Sequence, residues 1–263
     1  MRFTKMHGLG NDYLYVYGEV PGNIADICRK LSDRRFGAGS DGMIYISPSD
    51  VADFKMRIFN ADGSEAMMCG NGIRCVGKFV FDKGHTFKRR LTVETLSGIK
   101  TLVLNVEDGR ATGASVEMGR AKVGERLTLS AGGREITGIP VSVGNPHFVV
   151  FVDDIGKIKV GELGRAVEKN AAVPGGVNVE FVEVLGENRL RMRVWERGSG
   201  VTLACGTGAC ASAASAVSQG ICRAEEPITV VLDGGELEIT VSDAFEIIMT
   251  GPAETVYEGD AAI

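Results

Sequence analysis

Cys69 and Cys205 stand in the same local context. Each opens a Cys-Gly-x-Gly stretch, CGNG at 69–72 and CGTG at 205–208, 136 positions apart. A thiol just before a helix meets the positive end of the helix dipole and backbone N–H groups without intrahelical partners, which lowers its pKa. The glycines leave those N–H groups uncovered, so a carboxylate can sit on them. One such cysteine would suggest a nucleophile. Two, related by a repeat, suggest proton exchange at one carbon: a thiolate removes a proton from one face, a thiol returns one to the other, and the carbon inverts. That chemistry racemises or epimerises a centre α to a carboxylate with no covalent step, no metal and no cofactor. Helix N-termini stabilise the charge that develops on the carboxylate oxygens. The two thiols must be in opposite protonation states, so they titrate as a coupled pair. Thiols that close could also oxidise to a disulfide, which would be an inactive form.

The elements that must position these thiols repeat as well. Residues 56–84 align without a gap to 192–220. Met56, Arg57, Cys69, Gly70, Gly72 and Gly84 are matched by Met192, Arg193, Cys205, Gly206, Gly208 and Gly220, and Phe59 faces Trp195. Each copy reads as an alternating strand, a loop and then a helix, expected over 71–83 and 207–219. The first helix places Ile73, Val76, Phe79 and Val80 inward. The second, TGACASAASAVSQ, is small and nearly apolar all round, the pattern of a helix buried on every side.

Upstream, Gly10-Asn11 followed by Tyr13, Val16 and Tyr17 has a counterpart in Gly144-Asn145 followed by His147, Val150 and Phe151. An amphipathic helix capped by Asn23, with Ile24, Ile27, Cys28 and Leu31 on one face and Gly37 at its end, has a counterpart with Val160, Leu163 and Val167. A hairpin follows each cysteine helix, over 92–98 and 229–235. This order implies an α+β protein of two pseudo-symmetric domains, each a mostly antiparallel β-sheet rolled around a central α-helix. Both helix N-termini would point at the cleft between them. The expected domains are 1–115 plus 252–263, carrying Cys69, and 116–251, carrying Cys205.

Composition bounds the function classes. The 263 residues are 44% hydrophobic and 24% charged, ordinary for a soluble protein. A net charge of −5 argues against nucleic-acid or anionic-membrane partners, which call for a basic face. No export signal and no apolar run near ~18 residues is visible, so a cytoplasmic protein with reduced cysteines is expected. With no CxxC pair and three His, neither a zinc site nor a thioredoxin-like site is indicated.

Further polar residues gather in the same loops. Asn11, Asn60, Asn145 and Asn178 lie in Gly-rich turns or at strand ends, where asparagine ordinarily stabilises the turn. Asn71, inside CGNG, fits that plain explanation less well. Glu196-Arg197 stand where the first copy has Asn60-Ala61. Such a pair is ordinarily a surface ion pair, yet one that breaks the repeat's symmetry is what a site needs to hold one particular amino acid. His147, after Asn145-Pro146, could hydrogen-bond a nearby thiol. Cys28, Cys75, Cys210 and Cys222 read as small buried hydrophobes.

KMHGLGNDY (5–13), FNADGSEAMMCGNGIRC (59–75), GNPHFVV (144–150), VNVEF (177–181), ERGSGVTLACGTGACA (196–211) and MTGPAETVYEG (249–259) together closely resemble the diaminopimelate epimerase family over essentially the whole chain. The resemblance implies a pyridoxal-independent isomerase of lysine biosynthesis that interconverts LL- and meso-diaminopimelate. Cys69 and Cys205 would then be proton donor and acceptor, assisted by His147 and Glu196. Gly70-Asn71 and Gly206-Thr207 would hold the α-carboxylate, and Asn11, Asn60, Asn145, Asn178, Glu196 and Arg197 the rest of the substrate. A homodimer with Tyr257 at its interface is implied too. Gly42 stands where some members have a substrate-contacting Gln, and Thr207 replaces a Ser. The residues alone reach no further than a cofactor-independent, two-cysteine racemase or epimerase. A proline or hydroxyproline enzyme of the same logic, and a silent amino-acid-binding protein on the same scaffold, are the alternatives.

Overall fold

Both Cys-Gly-x-Gly stretches begin helices, one residue earlier than the sequence suggests. In the computed structural model, which describes residues 1–262, these helices are Gly70–Asp82 and Gly206–Ser218, with Cys69 and Cys205 as their N-caps. The chain divides into two compact units, Met1–Glu117 joined by the stretch from Thr250 onward, and Met118–Met249.

The first unit begins with β1 (Arg2–Gly8), β2 (Asn11–Tyr17), α1 (Ile24–Ser32), β3 (Gly42–Ser47), β4 (Phe54–Asn60) and β5 (Glu65–Ala66). The cysteine helix α2 (Gly70–Asp82) follows, then β6 (Arg90–Thr95), β7 (Gly98–Glu107) and β8 (Arg110–Arg120), in which the chain leaves the unit. The second unit contains β9 (Lys122–Val123), β10 (Leu127–Ala131), β11 (Arg134–Ser142), β12 (Pro146–Phe151), α3 (Val160–Glu168), β13 (Asn178–Gly186) and β14 (Arg189–Glu196). After β15 (Gly200–Thr202) come the second cysteine helix α4 (Gly206–Ser218), β16 (Pro227–Leu232) and β17 (Gly235–Val241). β18 (Glu246–Pro252) leads back to the first unit, where β19 (Glu254–Asp260) pairs with β1.

The two units share one pairing order. β1–β2, β3–β4 and β6–β7 are antiparallel, while β2–β3 and β4–β6 are parallel. In the second unit β11–β12, β13–β14 and β16–β17 are antiparallel, and β12–β13 and β14–β16 parallel. Parallel neighbours need a crossover, and a helix supplies it. In the first unit α1 crosses from β2 to β3 and α2 from β4 to β6; α3 and α4 do the same in the second.

The central helices follow the sequence pattern. Ile73, Val76, Phe79 and Val80 of α2 are buried, and α4 is buried from Gly206 to Ala216 apart from Thr207. Ile27, Cys28 and Leu31 of α1 join Phe3, Leu14, Val16, Met43, Tyr45 and Phe59 in one core cluster. Leu163 and Val167 of α3 join Phe148, Val150, Val179 and Phe181 in another. Each such side chain contributes about 1.5–3 kcal/mol by leaving water. Two local expectations change. The side chain of Asn23 makes no cap hydrogen bond, and α1 ends at Ser32 rather than at Gly37. Burial of its apolar face holds α1, and Asp33 Oδ1 accepts from Arg35 and Phe36 N–H to stop it. Among the described residues no helix is long and apolar enough to cross a membrane.

Candidate active site

The cysteines cap their helices through sulfur. Gly72 N–H donates to Cys69 Sγ at 3.3 Å and Gly208 N–H to Cys205 Sγ at 3.4 Å, the bond an N-cap serine would make. The glycine in that third helical position is set by packing beneath it. A Cβ on Gly72 would lie 2.7 Å from Ile44 Cδ1, and one on Gly208 would lie 2.7 Å from Glu180 Oε1. Ile44 on β3 and Glu180 on β13 occupy the same place in the repeat, 136 positions apart. The first-turn N–H groups of a helix have no intrahelical acceptor, so both helices offer donors suited to a carboxylate.

Around Cys69 the neighbours come from β2 and α2. A left-handed turn at Gly10 (φ 81°) delivers Asn11, whose Oδ1 accepts from Cys69 Sγ at 3.2 Å and from Asn71 Nδ2 at 3.5 Å. The Asn11 amide is oriented by Asp41, whose Oδ2 accepts from Asn11 Nδ2 at 2.8 Å. Asp41 is itself held by Arg34, which also bonds Asp12. Arg74, fully buried on α2, donates to Asn71 Oδ1 (3.1 Å), Gly70 O (3.3 Å) and Pro252 O (3.1 Å), and so fixes the helix's first turn. Burial raises the Tyr13 phenol well above its ordinary range, with Cys69 and Asp41 adding to it, so Tyr13 stays protonated. Asn60 bonds within its own turn, Nδ2 to Ser64 Oγ at 3.0 Å. At Gly42 a Cβ would lie 2.1 Å from Phe59 O, so this backbone has room for glycine alone and no side-chain contact arises there.

Around Cys205 the same backbone carries different chemistry. Gly144 (φ 92°) makes the corresponding turn, and Asn145 Nδ2 donates to Thr207 Oγ1 at 3.2 Å. Thr207 Oγ1 lies 3.6 Å from Cys205 Sγ. His147 places Nε2 3.0 Å from Asn145 Oδ1 and Nδ1 2.7 Å from Glu180 Oε1. Among the described residues it therefore reaches the thiol through Asn145 and Thr207, not by the direct hydrogen bond considered from sequence. Glu196 is no surface ion pair either: Thr202 Oγ1 donates to its Oε1, and among the described residues no ion pair joins it to Arg197. Burial raises the Glu196 carboxyl, against hydrogen bonds from Thr202 and Cys205 that lower it. Arg197 donates its backbone N–H to Asn178 Oδ1 (2.9 Å) and its guanidinium to Gly175 O (3.0 Å).

The dipole argument alone predicts an acidic thiol. At Cys205 it is outweighed: burial pushes the thiol well up, and Glu196 and Glu180 add to it, while Thr207 and Gly208 N–H oppose. The four remaining cysteines are buried as expected. Cys28 donates to the Asn60 carbonyl at 3.1 Å, which steadies that turn. Tyr257 lies on β19, 40% exposed, with its hydroxyl on Ala38 O and its ring edge-on to Phe3. Sequence reasoning missed Glu180, Asp41, Arg74 and Tyr13. Glu180 left a signal, as a charge within the strand-like stretch VNVEFV, and Tyr13 another, as the repeat counterpart of His147.

The duplicated fold has known counterparts. A probable proline racemase from Agrobacterium radiobacter matches with a TM-score of 0.77 at 20% identity, over 100% of this chain and 93% of that one. A phenazine biosynthesis protein of the PhzF family from Bacillus anthracis matches with a TM-score of 0.79 at 17% identity, over 100% and 99%. These likenesses define the fold class, an α+β architecture. Sequence narrows it. The diaminopimelate epimerase family model matches residues 3–124 and 139–256. The diaminopimelate epimerase of Acetivibrio thermocellus is 48% identical, over 99% of this chain and 98% of its own length. The chain belongs to the diaminopimelate epimerase family, as its motifs implied.

Proposed function

We propose that this protein epimerises diaminopimelate, converting the LL to the meso isomer in lysine biosynthesis. One of Cys69 and Cys205, as thiolate, removes the α-proton, and the other, as thiol, delivers a proton to the opposite face. Gly70-Asn71 and Gly206-Thr207 hold the α-carboxylate on the two helix N-termini, where charge built up as the proton leaves is stabilised. Asn11, Asn60, Asn145, Asn178, Glu196 and Arg197 bind the remainder of the substrate, and His147 and Glu196 assist the cysteines. The protein works in the cytoplasm without cofactor, metal, nucleic acid or membrane. It acts as a homodimer through β19, which carries Tyr257 and the half-exposed Val256.

One observation carries this reading: two thiols capping two repeat-related helices, in a chain 48% identical to a diaminopimelate epimerase along its length. Incubation with LL-diaminopimelate in deuterium oxide tests it. Deuterium should enter the α-carbon as the meso isomer accumulates, and failure to incorporate any would leave only a binding protein.

A further inference from the structure

Glu180 stands at 0% exposure on β13, beneath the first turn of α4. Its Oε1 meets His147 Nδ1, while Oε2 is buried with no hydrogen-bond partner among the described residues. Leaving a carboxylate oxygen unsatisfied is costly, so a purely structural residue would not be a glutamate here. The molecule itself supplies the control. At the same repeat position the first unit has Ile44, also 0% exposed, beneath the same turn of the other cysteine helix. The fold accepts an alkyl group in this slot.

The carboxylate matters for what it does to His147. Asn145 Nδ2 donates to Thr207, so its Oδ1 faces the imidazole and requires a proton on Nε2. A carboxylate on Nδ1 accepts a hydrogen bond there, so the ring between Glu180 and Asn145 Oδ1 donates from both nitrogens and its plane is fixed. We propose that Glu180 is a positioning residue of the Cys205 half-site. Its carboxylate accepts from Nδ1–H while Nε2–H donates to Asn145 Oδ1, so the ring is held from both nitrogens; this fixes the Asn145 amide, and the amide in turn aims the Thr207 hydroxyl at the Cys205 sulfur. This rests on the reading of Cys205 as one of the two proton-transferring thiols.

The test compares Glu180→Leu with Glu180→Gln, whose amide oxygen can still accept from Nδ1–H. Glu180→Leu should lower kcat by about tenfold to a hundredfold with KM within about twofold, and Glu180→Gln should recover to within about threefold of the parent. Nitrogen-15 NMR of labelled histidine should show His147 Nε2 protonated in the parent and in Glu180→Gln. An unprotonated Nε2 in the parent, full turnover in Glu180→Leu, or an equal loss in both variants would overturn the proposal. If Glu180→Leu does not fold, the parent and the Gln variant still decide it. Undiminished turnover in Cys205→Ala would instead remove the two-thiol reading, and the NMR result would judge the histidine's orientation separately.

Discussion

The two cysteine half-sites have one backbone and two chemistries. Each has a strand asparagine after a left-handed glycine, a sulfur capping a helix, and a glycine packed on a buried strand residue. In the first, a carboxylate outside the amide, Asp41, orients Asn11 so that its oxygen meets the thiol. In the second, the imidazole orients Asn145 the other way, so that its nitrogen meets Thr207. Asp12 and Asp41 of the first correspond to Pro146 and Val177 in the second, while Tyr13, Ile44 and Asn60 correspond to His147, Glu180 and Glu196. Duplication kept the geometry and let a different set of titrating groups surround each thiol. The proposed pair of bases, which would start a cycle in opposite protonation states, is served by that difference.

The largest test of this comparison removes each thiol. Cys69→Ala and Cys205→Ala should each lose about a thousandfold or more in turnover, with unchanged circular dichroism. Each variant should still exchange the α-hydrogen of one isomer, and the two should choose opposite isomers. Proton NMR in deuterium oxide reads this directly, and exchange of the same isomer by both would deny that the thiols address different faces.

A smaller effect isolates the charge difference. Glu196→Gln removes a negative charge that, after burial, is what most raises the Cys205 thiol. Alkylation of Cys205, followed against pH by mass spectrometry, should move to lower pH while that of Cys69 stays where it was. Turnover should fall by about tenfold or more if Glu196 assists proton transfer.

The smallest effect concerns the brace under the first half-site. Burial alone would raise the Asp12 carboxyl, but hydrogen bonds and charge from Arg34 and Lys5 lower it on balance. A carboxyl more acidic in the folded than in the unfolded chain gives stability that is full above about pH 4 and is lost as pH falls further. Hydrogen exchange should therefore show β2 losing protection before β12 on acidification. Asp12→Asn, at a cost on the order of 1–3 kcal/mol near neutrality, should remove the difference.

Much of this was legible in the sequence because the duplication printed it twice. Cys-Gly-x-Gly, the alternating strands and the Ala/Ser-rich run of α4 have local causes, and local causes survive in a one-dimensional string. The parallel pairs β2–β3 and β12–β13 were not legible, since register between strands separated by a helix is decided by the assembled core. Glu196 looks like half of a surface pair until β15 brings Thr202 onto it. Nothing in the sequence marks Arg74 as buried, and only the packing of α2 makes it so. The glycines of the motif suggested open N–H groups, yet Gly72 and Gly208 are also dictated by Ile44 and Glu180 packed beneath them, neighbours that no spacing rule reveals.

The strand β19 carries a last consequence. Arg2 lies opposite Asp260 in its ladder with β1, and the amino terminus donates to Ala261 O at 2.6 Å. During synthesis the opening strand, already paired with β2, therefore waits for its second partner until β19 has emerged, whereas residues 118–249 form an uninterrupted unit. Maturation on the ribosome runs against the order of translation, with the segment made second free to settle first.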